Sequence, residues 1–249
     1  MWWLAHGEHE VPASRGWLSA HEQEHLASIR YTKRRDEYVT RRWTTKQAVA
    51  AVLGLQGDDA SLARIEVRHH ESGAPFVHLD GRDAQVEVSM SDRAGWAVCL
   101  AGAPGVATVG ALGIDLEIVE PRTDGFVEDY LTPAERDHVR SFAEADRRHE
   151  AANLIWSAKE AALKVLRVGL RADTRSVEVR LGGEARPDGW SAMTVVGEDG
   201  PMPGWWRRDG VFLLTIAATA HREPPTLLAR SADLGRAVPR HSWVANPTC

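Results

Sequence analysis

Asp115 and Glu117 lie two residues apart in the run Gly113-Ile114-Asp115-Leu116-Glu117-Ile118, which alternates apolar with acidic side chains. In an extended chain residues i and i+2 leave the same face. The two carboxylates therefore emerge together, with Ile114, Leu116 and Ile118 turned toward a core. Side-by-side acids repel, and one should hold its proton unless a cation intervenes. About forty residues on, Trp156-Ser157-Ala158-Lys159-Glu160-Ala161-Ala162-Leu163-Lys164 places Trp156, Glu160 and Lys164 on one helical face. Ala161, Ala162 and Leu163 permit close packing there. Taken singly, the first run reads as an edge strand with solvated acids. The second alone reads as a surface helix with one Glu–Lys pair. Together they suggest that Asp115, Glu117 and Glu160 meet. Three hard oxygen ligands suit Mg²⁺, which keeps waters and takes phosphate oxygens. Lys164 beside them would neutralise a phosphate. That is the layout of phosphoryl or pyrophosphate chemistry.

These side chains need elements to hold them. Residues 18–55 read as helical, with Ser19 capping the first turn and a second stretch from about Arg34 to Leu53, stopped by Gly54 and Gly57. Residues 65–68, 86–88 and 96–101 read as strands, with turn chemistry at 70–75. Residues 109–119 form the strand that carries the acids. Thr132-Pro133-Ala134-Glu135 is a capping box with proline in the first turn, so a helix begins there. A longer helix spans about 147–168 and ends at Gly169, with Lys164 and Arg167 suited to its C-terminal dipole. Strands follow at 177–181, 191–196 and 211–217, then a loosely held tail from about Arg222. No internal repeat is apparent. The mixture lacks a strict βαβ rhythm and points to an α+β fold with antiparallel strands in each half and a seam near 104–108.

The chain has 249 residues, 30 Lys+Arg against 35 Asp+Glu, and a net charge of −5. That is one large domain or two small ones, able to bury a core without disulfides. The mild acidity argues against nucleic acid as a partner. Apolar stretches at 48–55 and 211–220 are too short to span a membrane, and the first residues show no secretory signal. Cys99 and Cys249 are the only cysteines, too few and too far apart for a zinc framework; Cys99 reads as a buried, inert thiol. A reducing cytoplasm is the expected setting. The pairs His6/His9 and His69/His70 lack a third ligand at sensible spacing, and no G-x-S-x-G elbow or P-loop is present. Most of the ten tryptophans read as core or seam packing.

Gly113–Glu117 resembles the G-x-D-x-E motif of 4′-phosphopantetheinyl transferases, and Trp156–Lys164 resembles their W-x-x-K-E-A-x-x-K motif, in the family's order. Gly169-Leu170-Arg171 and the strand that follows are also similar. Upstream, the basic run 33–42 is similar to the helix by which surfactin-type members hold coenzyme A phosphates. By that match Arg34 and Arg42 are phosphate ligands, and Lys46 continues their face. Gly73-Ala74-Pro75 looks like the family's G-x-P loop near the adenine. Ser89-Met90-Ser91-Asp92 falls where members carry N-L-S-H or S-L-T-H. The resemblance spans roughly residues 30–220. Two positions depart from it: Asp92 replaces a histidine that contacts phosphate, and Ser72 replaces a lysine before G-x-P. Each removes positive charge from the cofactor pocket. A carboxylate at position 92 should repel phosphate unless it is paired or turned away.

The resemblance implies an α+β pseudodimer of two similar halves, 1–106 and 107–222, with a tail at 223–249 and the active site in the cleft between the halves. It implies transfer of 4′-phosphopantetheine from coenzyme A to a serine of an apo acyl or peptidyl carrier protein, releasing 3′,5′-ADP. Mg²⁺ would be held by Asp115, Glu117 and Glu160. Glu160, or a water held by the acids, would take the serine proton. Lys164 would stabilise the leaving diphosphate, and Lys159 would assist. Arg34, Arg42, Lys46, Ser72, Gly73, Ala74, Pro75, Ser91, Asp92, Lys159 and Lys164 would contact the coenzyme. A monomer is expected, with neither nucleic acid nor membrane as partner. Arg136, Arg140, Arg147 and Arg148, with Phe126, Val127 and Tyr130, would meet the carrier. Two other readings stay open. One is a non-catalytic coenzyme A binder of the same fold, and the other is a metal-dependent phosphohydrolase of another fold.

Overall fold

The computed structural model describes residues 1–102, 110–168, 172–220 and 223–241. The expected seam, Gly169-Leu170-Arg171 and Cys249 lie outside the described residues. The fold is α+β, as expected, with three sheets, antiparallel except where β12 joins β1, and six α-helices among the described residues.

The first sheet is built on β1 (Trp2–Gly7), β5 (Val88–Arg93) and β6 (Trp96–Ala101), with the two-residue β12 (Thr226–Leu227) at its edge, in the order β12-β1-β6-β5. The second runs β7-β11-β10-β9-β8. Its strands are β7 (Leu112–Ile118), β8 (Glu178–Leu181), β9 (Ser191–Gly197), β10 (Gly200–Asp209) and β11 (Phe212–Ala218). Strand alternation decides how the sheets pack. Trp3, Ala5, Val98 and Leu100 face Ile114, Leu116, Leu214 and Ile216 in one shared core. Leu4, Cys99 and Ala101 point the other way, onto α2 (Thr32–Val52). On the far side of the second sheet, α6 (Ala145–Val165) buries Ile155, Ala158 and Ala162 against Met193, Val195 and Ala217. The layers are therefore helix, sheet, sheet, helix. Cys99 is buried, as read, and burial raises its thiol to about 12, so it stays protonated.

A hairpin of β2 (Ile65–His69) and β3 (Pro75–Leu79), extended by β4 (Arg82–Asp83), stands beside the first sheet. The helical reading of 18–55 resolves into α1 (Ala20–Ser28), capped by Ser19, whose own amide donates in return to the Glu22 carboxylate, and α2, followed by Gly54 at φ 69°. The capping box at Thr132 opens α5 (Pro133–Arg140) as expected.

Three expectations need correction. Residues 86–88 are not a strand; β5 begins at Val88, and β1, β3 and β10 went unread. In β10, Pro201 and Pro203 pair only with β9, because β11 joins at Gly204; locally this is an edge, where proline is tolerated. The tail is not loose through residue 241. Thr226 and Leu227 pair with Trp2 and Trp3, Ser231 Oγ accepts from the Ala5 amide at 2.9 Å, and Leu234 is buried in the shared core.

An internal repeat is also present. Trp43-Thr44-Thr45-Lys46-Gln47-Ala48 on α2 matches Trp156-Ser157-Ala158-Lys159-Glu160-Ala161 on α6. The structure repeats with it. Glu22 and Glu135 are each the acidic member of a capping box. Each accepts a strand amide, Val67 at 3.1 Å and Val179 at 2.7 Å. Each is ion-paired with the fully buried lysine of the motif 24 residues on, Lys46 or Lys159.

Gly113 sets how closely α6 approaches the acids. A Cβ there would lie 1.9 Å from the Ala161 carbonyl oxygen, backbone against backbone. We expect Gly113→Ala to push α6 off β7, costing about 1–3 kcal/mol. A thermal melt tests this; an unchanged Tm would contradict it.

Candidate active site

A cleft of about 700 Å³ opens beside β5 and the end of α6. Its cations are Arg41 and Arg42 from α2, Arg68 from β2, and Lys164 and Arg167 from α6 and the residues just after it. Its acids are Glu87 and Asp92. Glu87 is paired with Arg167 at 3.1 Å, and Asp92 is paired with Arg41. The lining is therefore cationic on balance, fit for a polyanion. The neutral loop Ser72, Gly73, Ala74 and Pro75 closes one side. Burial first, then the Arg42 and Arg41 charges, hold His69 down at about 4, so at neutral pH it is an uncharged ring beside Arg42.

At one end the cleft meets the acids. Asp115, buried on β7, accepts from Ser91 Oγ at 2.8 Å and Lys164 Nζ at 2.9 Å on one oxygen, and from Ser157 Oγ at 2.8 Å on the other. Lys164 also donates to the Ile114 carbonyl at 2.8 Å. Glu117 accepts the Trp156 indole N–H at 3.2 Å, and Arg93 and Arg122 approach its other oxygen at 3.0 and 3.5 Å. Like that Glu117 oxygen, Glu160 Oε1 is buried and accepts no hydrogen bond among the described residues, but no arginine pairs with it there. Burial, then the Asp115 charge, raises Glu160 to about 7. Burial, then Asp115, likewise raises Glu117 to about 7. The mutual repulsion read from the i, i+2 spacing is thus present, and Asp115 drives it toward both neighbours.

Among the described residues, no group of three or more His, Cys, Asp or Glu side chains is arranged so that it could hold a metal ion, so the expected set of Asp115, Glu117 and Glu160 is not brought together as one. The donor set nonetheless suits a hard divalent cation. Mg²⁺ characteristically takes one or two carboxylates and completes its shell with water and phosphate oxygens. A buried, unpartnered carboxylate oxygen on Glu160 beside the Asp115 charge is the kind of group such an ion satisfies.

Of the residues expected to contact a coenzyme, Arg42, Ser72, Gly73, Ala74, Pro75, Ser91, Asp92 and Lys164 line the cleft. Three do not. Lys46 is fully buried, donating to the Trp17 carbonyl at 2.9 Å and paired with Glu22. Lys159 is likewise fully buried, paired with Glu135 at 2.9 Å and bound to the Thr174 carbonyl at 2.9 Å. Neither lines the cleft; each neutralises a buried glutamate. Arg34 is exposed and lines a neighbouring cavity of about 530 Å³ with Arg30 and Tyr31. Arg41 went unread, although it is next to Arg42 in sequence and lines both cavities. Arg93 and Arg122, which flank Glu117, had no signal in spacing. The expected carrier-facing arginines are partly compensated: Arg136 and Arg140 both pair with Glu128, and Arg147 pairs with Glu150. Phe126 and Tyr130, on the unread helix α4 (Asp124–Tyr130), stack with Trp156 in a ring cluster with centroids 5.1–5.3 Å apart.

Residues 111–189 match the 4′-phosphopantetheinyl transferase superfamily. The matched segment holds both acidic motifs, with Asp115 and Glu117 on β7 and Glu160 and Lys164 on α6. The chain is also similar to a particular protein, a holo-[acyl-carrier-protein] synthase of Anoxybacillus flavithermus (strain DSM 21510 / WK1), 35% identical over 68 residues. That stretch is 27% of this chain and 57% of the synthase, so the chain spans little more than half of that relative's length. No described helix is long and apolar enough to cross a membrane.

Proposed function

We propose that this protein is a surfactin-type 4′-phosphopantetheinyl transferase, moving the phosphopantetheine arm of coenzyme A to a serine hydroxyl of an apo acyl or peptidyl carrier protein. One observation carries the reading: Lys164 lines the cationic cleft and bonds Asp115 at 2.9 Å, so a single side chain joins an anion-binding site to a carboxylate cluster. The family match over both motifs supports it. The repeated Trp-x-x-Lys segments and Glu–Lys pairs support two similar halves, 1–106 and 107–222. The cleft takes side chains from both.

The chemistry follows from the side chains. The serine oxygen attacks the phosphorus that bears the pantetheine. The bridging P–O bond breaks, and 3′,5′-ADP leaves with the electron pair. Glu160, or a water held by the acids, accepts the serine proton. Lys164 stabilises the negative charge that grows on the leaving diphosphate. Arg41, Arg42 and Arg68 hold the distal phosphates, and Ser157 and Ser91 fix Asp115. Asp115, Glu117 and Glu160 are the residues that would hold Mg²⁺, which would supply charge neutralisation at the diphosphate.

The test is to incubate the protein with coenzyme A, Mg²⁺ and a panel of apo carriers, then weigh the carriers. A gain of one phosphopantetheine, lost with EDTA, is the expected result. No gain on any carrier, with coenzyme A still bound, would favour a non-catalytic binder of the same fold.

A pH signature follows. Without metal, Glu117 and Glu160 hold protons to about 7 when folded, against 4.5 ordinarily. The metal-free fold therefore loses stability as pH rises from about 4.5 through 7. A cation needs the ionised carboxylates and recovers that loss above 7. Added Mg²⁺ should raise Tm more at pH 8 than at pH 6; equal shifts in a thermal-melt series would contradict this.

A further inference from the structure

Asp92 puts a negative charge into a cleft fit for anions, and it points across that cleft at Arg41. Both residues line the cleft, and they form an ion pair in which the Asp92 side chain is 19% exposed and the Arg41 side chain 31%. Arg41 also lines the neighbouring cavity of about 530 Å³, so it stands at the junction of the two. Its surroundings work against keeping it there. Arg42 and Arg68 line the same cleft, and although Glu22 at 3.6 Å and Glu66 partly offset them, like charges repel. A long, partly exposed guanidinium that was free to do so would swing into solvent. The Asp92 carboxylate is the group that opposes this. It lies on β5 directly after Ser91, whose hydroxyl donates to Asp115 at 2.8 Å. One strand thus holds a cleft cation through one residue and a reacting-site carboxylate through the residue before it.

We propose that Arg41 is a phosphate-binding residue of the cleft and that Asp92 is its positioning residue rather than an obstacle to the ligand. The proposal rests on the transferase reading for the identity of the ligand, a nucleotide carrying more than one phosphate. A carboxylate that fixes a guanidinium in place before the ligand arrives lowers the ordering cost of binding. Charge-assisted bonds from a held guanidinium to phosphate are strong and directional.

The idea makes a prediction opposite in sign to simple charge counting. Removing a negative charge from an anion site should tighten binding. If Asp92 positions Arg41, removing it weakens binding instead. The probe is 3′,5′-ADP, titrated calorimetrically into the full chain in metal-free buffer. Arg41→Ala should weaken binding about tenfold. Asp92→Ala should weaken it about fivefold, the double variant should be no weaker than Arg41→Ala alone, and Asp92→Glu should restore most of the affinity. Tighter or unchanged binding by Asp92→Ala overturns the proposal. So does a double variant whose losses simply add. Should Asp92→Ala melt early, Asp92→Asn, which keeps an acceptor for Arg41, should fall between Asp92→Ala and wild type. The transferase reading fails on a different readout, the absence of phosphopantetheine transfer by the wild-type protein. Absence of 3′,5′-ADP binding by the wild type would overturn the proposal.

Discussion

Glu160→Gln is expected to abolish phosphopantetheine transfer, lowering turnover by about 10³-fold, while leaving the metal-free fold as stable or more so at pH 8. The activity loss follows from removing the proton acceptor, since a positioned general base contributes about 10²–10⁴-fold. The stability gain is less obvious. Glu160 is raised to about 7 because its carboxylate is buried beside Asp115, with one oxygen unpartnered. Above pH 7 the folded protein must carry that ionised group in a place that disfavours it, whereas the unfolded chain does not. Glutamine keeps the shape without the charge. Activity and stability thus move apart, as they do where a site stores strain for function. Carrier mass and thermal melting at pH 8 give both readouts. Near-normal transfer would remove Glu160 from the chemistry. A large drop in Tm with transfer lost would make its role one of packing.

Lys159→Met is expected to destabilise the protein by about 3–5 kcal/mol, because it strands the buried Glu135 carboxylate. Lys159 is fully buried and pairs with Glu135 at 2.9 Å, and Glu135 also accepts the Thr132 and Val179 amides at 2.7 Å each. The double variant Lys159→Met, Glu135→Gln should recover much of the loss, since no uncompensated charge remains. Urea denaturation of the single and double variants measures this. The same pattern is expected of Lys46 and Glu22. A coenzyme-binding role, as the sequence reading gave both lysines, predicts the reverse: unchanged urea midpoints and weaker coenzyme A binding.

Which faces the acids share was legible from sequence because that logic is local. Period 2 on β7 and period 3.6 on α6 fix which faces Asp115, Glu117, Glu160 and Lys164 share, whatever the tertiary fold. The capping boxes at Ser19 and Thr132 were legible for the same reason. What failed depended on partners distant in sequence. Lys46 and Lys159 look like free cations on helices until Glu22 and Glu135 fold beneath them. Asp92 looks repulsive until Arg41 meets it from another element. Strand β10 carries two prolines and went unread; only the late arrival of β11 makes them tolerable. The repeat around Trp43 and Trp156 escaped the eye because only a few positions of each half are held in common, those that build the buried pair and the helix–sheet contact.

The strap formed by residues 226–232 has a consequence for how the protein is made. It satisfies the outer edge of β1: Thr226 and Leu227 pair with Trp2 and Trp3, the Leu228 and Ala232 amides donate to the Trp3 and Ala5 carbonyls at 2.9 and 2.8 Å, and Ser231 covers the Ala5 amide. On the ribosome β1 emerges early and the strap late. Through most of synthesis that edge, with two adjacent tryptophans, stands open to pairing with other nascent chains. A chain cut short near residue 222 would keep the cleft residues and both acidic motifs but leave the edge unsealed. Its yield of soluble protein, and its demand for chaperones, would register the strap's contribution before any assay of the cleft.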